Sequence, residues 1–480
     1  MIQADRWEVN RPHILILMTD QQRADCLRCA GHPQLRTPNI DRLAGEGMRF
    51  AQATTASPIC MPARASFASG LYPHNHGIWS NGGEMPADDE TFFQLLRRIG
   101  YFTAAIGKSH YYDPRRGGHM RDREAYMRAR GFEFVHETTG PQATVHMDSY
   151  VTDEWKRKGL WQAISADYRK RELPGELIVD PSPLAVEDYL DSYIGRQAEA
   201  FVGAYEQPRR LLLFVGFAGP HEPFDAPGPY AEMYRPEDSP RPIPVPDEYG
   251  TLPDRIRTKK AFEVWPQVTL NRIPQVRASY YGKISLIDFW IGRILKAFER
   301  RGWLDNTLVV FLADHGEMLG DHGRLKKSTF HESNIRIPLI LSWPERIPAN
   351  TVTNALAEIG DVFPTLLEAA GCEPSARCLG RSLWRVLRDP SAELRTYQLS
   401  EVRYGDRQIM IRSRQYKFAI DSHSRAYMLY DLARDPDEQH NLAADPSARA
   451  LKQDLRRGLA ERLEETRYGQ ALDQLNAGSM

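Results

Sequence analysis

Four largely apolar runs, each closed by a polar group, most constrain what this chain can fold into. Ile14 to Met18 runs into Asp20-Gln21, and Tyr101 to Ile106 into Gly107-Lys108-Ser109-His110. Leu211 to Phe217 runs into Ala218-Gly219-Pro220-His221-Glu222, and Leu308 to Ala313 into Asp314-His315. A strand covered on one face alternates apolar and polar residues; a strand covered on both faces does not alternate, and that is the pattern of a parallel sheet between helices. The carboxyl ends of parallel strands share one edge, where open α/β sheets bind ligands. The pattern therefore predicts an α/β fold that brings Asp20, Lys108, His221 and Asp314 to a single rim.

Helices are expected between these strands. Thr37 and Pro38 form a helix start, and Asp88 to Thr91 opens another that carries Phe92, Leu95, Leu96 and Ile99. Tyr281, Ile284, Ile287, Ile291, Ile294, Leu295 and Phe298 mark a long amphipathic helix closed by Gly302, and Asp361 to Ala370 a shorter one. Met48 to Thr54 and Ile337 to Ser342 read as further strands. Between Tyr111 and Pro183 the pattern weakens into a polar, arginine- and aromatic-rich stretch, expected as an inserted lobe over the sheet edge (111–183). A Pro-rich segment (219–253) is too long for a simple connector and is expected to be functional. After about residue 375 the long apolar runs stop. Gln398 to Val402, Gln408 to Arg412, Lys417 to Ile420 and Met428 to Leu432 are short strands between polar turns, followed by a helix from about Ser447. The expected division is a large domain, 1–375, and a smaller C-terminal α+β domain with a short antiparallel sheet, 376–480.

Composition excludes several classes. Lys plus Arg number 62 against 63 Asp plus Glu, so no overall field draws the chain to nucleic acid or anionic membrane. Five cysteines in 480 residues argue for reduced thiols rather than a disulfide framework. The first apolar run is too short to span a bilayer and lacks a small-residue cleavage site, so a cytoplasmic protein with no membrane partner is expected.

The stretch Ser57 to Gly70 places Cys60, Pro62 and Arg64 at a helix start, where unpaired N–H groups and the dipole favour an anion. Arg64, about one turn along, can hold an oxyanion with its planar fork. Asp20, Gln21, Asp314 and His315 offer mainly oxygen ligands, which favours a hard divalent cation; His315 leaves room for a softer one. Lys108, Lys327 and Arg64 suit an anionic substrate, and His110 and His221 can move protons near neutral pH. Asp321-His322 repeats the Asp-His pair, but only Asp314-His315 directly ends a buried run. Cys26-Leu27-Arg28-Cys29 has no second pair at metal-site spacing. A cysteine-dependent phosphatase, which needs five residues between Cys and Arg, is set aside because here there are three.

These residues resemble the sulfatase family. Cys60-Met61-Pro62-Ala63-Arg64 with Gly70 is similar to its C-x-P-x-R…G signature, whose Cys is oxidised to formylglycine. Asp20-Gln21, Gly107 to His110, Pro220 to Phe224, Asp314 to Glu317, and Lys327 five residues before Glu332 resemble its other site motifs, and Tyr430-Asp431-Leu432, Asp435-Pro436 and Asn441-Leu442 resemble its C-terminal sequence. The likeness spans Pro12 to Leu442 and implies an alkaline-phosphatase-like catalytic domain. It implies one divalent metal on Asp20, Gln21, Asp314 and His315, with calcium first and magnesium or manganese as alternatives, and no other bound cofactor. Catalytic residues implied are Cys60, Arg64, Lys108, His110, His221 and Lys327, with His76, Lys108, His221 and Lys327 toward the substrate. Gln21 and His315 stand where many members carry Asp and Asn, a pairing also found in relatives that cleave phosphonate monoesters and phosphodiesters.

The activity so implied is hydrolysis of a sulfate ester to an alcohol and sulfate. One hydroxyl of the hydrated aldehyde at position 60 attacks sulfur and the other expels the product, with Lys108 and Lys327 neutralising oxygens, His221 protonating the leaving alcohol and His110 acting as base. Partners implied are a small anionic ester and a formylglycine-generating enzyme, with a homo-oligomer compatible. The alternative with the same site is a phosphonate monoester or phosphodiester hydrolase; the Lys108-x-His110 pair favours sulfate. An unmodified anion-binding protein is the remaining alternative. His74, His76 and Trp79, beside the nucleophile, are expected to help define the alcohol.

Overall fold

The computed structural model describes residues 11–173, 177–246 and 268–467. The four apolar runs form adjacent or near-adjacent strands of one sheet. In chain order its strands are β1 (His13–Asp20), β2 (Met48–Phe50), β3 (Phe102–Gly107), β4 (Phe134–Glu137), β5 (Leu211–Pro220), β6 (Thr307–Ala313), β7 (Leu339–Ser342) and β8 (Thr351–Thr353). Their spatial order is β4-β3-β5-β1-β6-β7-β2-β8. The block from β4 to β6 is wholly parallel, whereas β7 runs antiparallel to both β6 and β2. Ile14 to Met18 lie opposite Leu212 to Gly216 on one side and Leu308 to Leu312 on the other, so β1 is the central strand.

Both faces of β1 are buried, which is why its sequence does not alternate. Ile14, Ile16 and Met18 pack with Phe67, Phe92 and Phe93. Leu15 and Leu17 pack with Ile287, Ile291 and Phe298 of the long Val268–Arg300 helix. Each face thus joins its own hydrophobic cluster, the arrangement that makes burial the main driving force for such a sheet. At the β3–β5 exit the backbones approach closely. A Cβ on Gly107 would lie 2.2 Å from the Gly216 carbonyl oxygen, and Gly107 also takes φ +90°. This approach lets the Lys108 N–H donate to the Gly216 carbonyl at 2.7 Å and sets where the Lys108 side chain leaves the sheet.

The 111–183 stretch differs from a lobe laid over the sheet. It supplies the edge strand β4 itself, then the Tyr150–Arg157 and Trp161–Glu172 helices. Of the Pro-rich segment, residues 247–253 lie outside the described residues. The C-terminal strands β9 (Gln398–Tyr404), β10 (Asp406–Arg412), β11 (Tyr416–Ile420) and β12 (Ala426–Asp431) form an antiparallel sheet in the order β12-β11-β10-β9. Ile411 and Phe418 pack with Leu455 and Leu459 of the Arg449–Glu465 helix. Met410, Ala419 and Met428 pack on Ile59 and Phe330 of the large domain. A buried charge cluster ties the same sheet to the segment after Lys327. Glu332 accepts from Arg412 and Lys417, each at 2.8 Å, and Glu438 takes both Lys417 Nζ (2.6 Å) and the Glu332 N–H (2.7 Å). All five cysteines are free, and among the described residues no helix is long and apolar enough to cross a membrane.

Candidate active site

The Cys60–Ser69 helix begins on Cys60 and ends at Gly70, whose φ of +69° suits glycine. Every residue of the helix is buried, so Arg64 carries its charge inside the protein. It is held by the strand ends. Arg64 Nη2 donates to Asp20 Oδ2 at 3.0 Å, its Nε to Asp314 Oδ2 at 2.8 Å, and its Nη1 to the Lys108 carbonyl at 2.6 Å. One guanidinium therefore joins the ends of β1, β3 and β6, using the fork geometry that suits paired carboxylates.

Cys60 Sγ lies 3.7 Å from Asp20 Oδ1, 3.1 Å from His315 Nε2 and 2.8 Å from Lys327 Nζ. Lys327 Nζ also donates to Gln21 Oε1 at 2.6 Å. Lys108 Nζ reaches Asp20 Oδ2 at 2.6 Å. Burial raises the Asp20 carboxyl, but Lys108 and Arg64 outweigh it and hold the group well below its ordinary range. Burial lowers Lys327, and the Cys60 sulfur and Asp20 more than reverse it, so the ammonium stays charged. For His110, burial and then the Lys108 and Arg64 charges act together and push the imidazole down, leaving it neutral near pH 7.

The donor set is gathered closely enough to hold one metal ion. One ligand atom from each of Asp20, Cys60, Asp314 and His315 lies within 4.8 Å of the others. His315 Nδ1–H donates to the Gly316 carbonyl at 2.9 Å, which leaves the Nε2 lone pair facing the cluster. Gln21 is fixed from behind: its Nε2 donates to Glu222 Oε2 at 2.8 Å and to Glu317, so its oxygen is the atom turned toward Lys327. Burial and then Glu222 raise the Glu317 carboxyl to about 7. Glu222 moves oppositely, because His221 and Lys326 outweigh its burial. Both glutamates fall inside runs quoted above, but neither was assigned a part there.

A cleft of about 240 Å³ opens over this cluster, with Cys60, Lys108, His110 and His221 among its walls. Its far side comes from the 111–183 stretch, through Tyr112, Arg115, Thr139, His146 and Glu172, together with Asn81. That stretch lines the cleft as well as extending the sheet; the outward arginines are solvated, as where Arg121 pairs with Asp153 across exposed surface. Asp321 and His322 are buried elsewhere, Asp321 between Arg23 (2.6 Å) and Arg277 (2.7 Å).

His76, expected toward the substrate, is not brought to this cleft. Its Nδ1 accepts from the Ile78 N–H and its Nε2 faces the Ser66 hydroxyl, both at 3.1 Å, so both ring nitrogens are committed within the protein. His74 is likewise taken up, with Nδ1 2.7 Å from Glu401. Burial lowers His76 to about 3, and lowers His13, His32, His136 and His322 to about 4. The native state therefore resists protonating these rings, while the unfolded chain takes up protons below about pH 6.5. Stability is greatest above that value and drains away as pH falls toward about 4. The melting temperature should drop between pH 7.5 and 5, and should drop less in His76→Gln; parallel pH dependence in both proteins would contradict this.

The parallel sheet, its helical layers and the rim cluster define an alkaline-phosphatase-like α/β fold. The family model "Sulfatase" matches residues 12–372, and that of "N-sulphoglucosamine sulphohydrolase, C-terminal" matches residues 320–466. The chain belongs to the sulfatase family. It is 29% identical to an arylsulfatase of Clostridium perfringens over 95% of each chain. It is 31% identical to the multifunctional alkaline phosphatase superfamily protein PehA of Trinickia caryophylli, over 93% of this chain and 94% of that one. Among solved structures it resembles the phosphonate monoester hydrolase of Agrobacterium radiobacter, with a TM-score of 0.81 at 26% identity, covering 95% of this chain and 96% of that one.

Proposed function

We propose that the protein hydrolyses sulfate esters of small alcohols, with Cys60 converted to formylglycine. The observation that carries this is the convergence of Arg64, Lys108 and Lys327 with Asp20 and Asp314 around Cys60, together with the family membership. Asp20, Gln21, Asp314 and His315 would hold one divalent cation, for which calcium suits the oxygen-rich set and magnesium or manganese are alternatives; when bound it supplies Lewis-acid polarisation. The hydrated aldehyde at position 60 supplies a nucleophilic hydroxyl and a second hydroxyl whose deprotonation frees the product.

The remaining work falls to the chain's own side chains. Arg64 orients position 60 while keeping the two carboxylates from repelling each other. Lys108 and Lys327 bind the non-bridging oxygens, where charge builds in the transition state. His221 donates its proton to the leaving oxygen; its Nδ1–H is committed to the Glu222 carbonyl at 2.7 Å, which leaves Nε2 for that task. His110, neutral by burial, accepts the proton from the second hydroxyl. His76 is not among the substrate-binding residues.

Phosphonate monoester or phosphodiester cleavage at the same site is the second reading. It is supported by Gln21 and His315 in the ligand set and by the likeness to phosphonate monoester hydrolase structures. Rates on 4-nitrophenyl sulfate and on the 4-nitrophenyl ester of phenylphosphonate, measured side by side with and without chelator, separate the two. The expected result is a higher kcat/KM for the sulfate and loss of both activities on chelation. A phosphonate preference would overturn the sulfate assignment, and full activity after chelation would overturn the metal.

A further inference from the structure

Lys283 is a fully buried lysine on the Val268–Arg300 helix that the mechanism above does not use. Its Nζ donates to the His221 carbonyl at 2.6 Å and the Pro223 carbonyl at 2.8 Å, and lies 3.5 Å from Asp225 Oδ1. Asp225 Oδ1 in turn accepts from the Tyr189 hydroxyl at 2.8 Å. Just upstream, Asp191 of the Leu190–Gly203 helix accepts the Ala218 and Gly219 N–H groups at 2.7 and 3.0 Å. The end of β5 and the turn that follows are thus each gripped, the strand's last amides by a buried carboxylate and the turn's carbonyls by a buried ammonium.

Stability alone is a poor reason for this arrangement. Burying an ammonium costs several kcal/mol that an attractive partner only partly returns, and an apolar side chain of similar volume is often as good or better. What an apolar side chain cannot do is bind the carbonyls of residues 221 and 223 at one point. We propose that Lys283 is a positioning residue that fixes the backbone at His221 and so aims its ring at the leaving oxygen. This inference rests on His221 being the proton donor.

The test compares two esters of the class the enzyme turns over, one of 4-nitrophenol and one of phenol. Only the less acidic phenol needs a proton as it leaves. The ratio of their kcat/KM values on a single sample is independent of the fraction folded, so a merely structural role does not move it. His221→Ala should lower the phenyl-to-nitrophenyl ratio on the order of 100-fold, the scale of general acid catalysis. Lys283→Met should lower it about tenfold, and Lys283→Arg, which keeps the donors, by less. An unchanged ratio in Lys283→Met alongside a lowered one in His221→Ala overturns the inference and leaves the role of His221 intact. An unchanged ratio in His221→Ala overturns that role, and the inference with it.

Discussion

Cys60→Ala is expected to lose ester turnover by at least about 10⁴-fold, the scale seen when a nucleophile is removed from an otherwise intact site. The fold should survive. The side chain is small, and alanine keeps the helix start while giving up the sulfur's contacts with Asp20, His315 and Lys327. The stability change should therefore be on the order of 1 kcal/mol, as for an ordinary buried substitution. Mass spectrometry of the wild-type peptide around position 60 gives the companion result, with the aldehyde expected in place of the thiol. Turnover in the alanine variant near the wild-type rate would end the assignment. A wild-type enzyme that is active with an entirely unmodified thiol would end the formylglycine reading alone.

Arg64→Met should cost both activity and stability, and the two losses have different origins. The guanidinium is fully buried between two fully buried carboxylates, at 3.0 Å from Asp20 and 2.8 Å from Asp314. Removing one partner from such a cluster leaves uncompensated buried charge, at a cost of about 3–5 kcal/mol. A divalent cation on the same carboxylates would take over part of the compensation. Calcium should therefore raise the melting temperature of Arg64→Met by more than it raises that of the wild type. A variant that melts like the wild type in chelator would show that Arg64 does not hold the carboxylates together.

The sheet centre was legible because its strands are covered on both faces, which leaves a continuous apolar run. β4 and β8 escaped that reading: Phe134–Glu137 alternates between half-buried and buried residues at the sheet edge, and Thr351–Thr353 has three residues. The long helix begins at Val268, well before the apolar stripe from Tyr281, and carries Pro274 within it. Topology alone predicts Asp20, Lys108, His221 and Asp314 at one rim; Arg64 ties Asp20, Asp314 and the Lys108 carbonyl together, and His221 lines the cleft with Lys108 and Cys60. The glutamates behind Gln21 were not foreseen, since their partners lie 201 and 296 positions away and carry no local pattern. His76 misled for the opposite reason. Nearness to Cys60 in sequence put it one helix away, at the end where Ser66 and Ile78 engage it.

The Glu332 cluster couples the segment that carries Lys327 to the C-terminal sheet. Lys327 stands five residues before a glutamate whose cationic partners, Arg412 and Lys417, belong to β10 and β11. A polypeptide ending near residue 375 would keep the central strands, Cys60 and the Ser328 N–H bond to the Pro58 carbonyl at 3.1 Å, but would lose Arg412 and Lys417, which pair with Glu332. Such a fragment would hold its second lysine less firmly than the whole chain does.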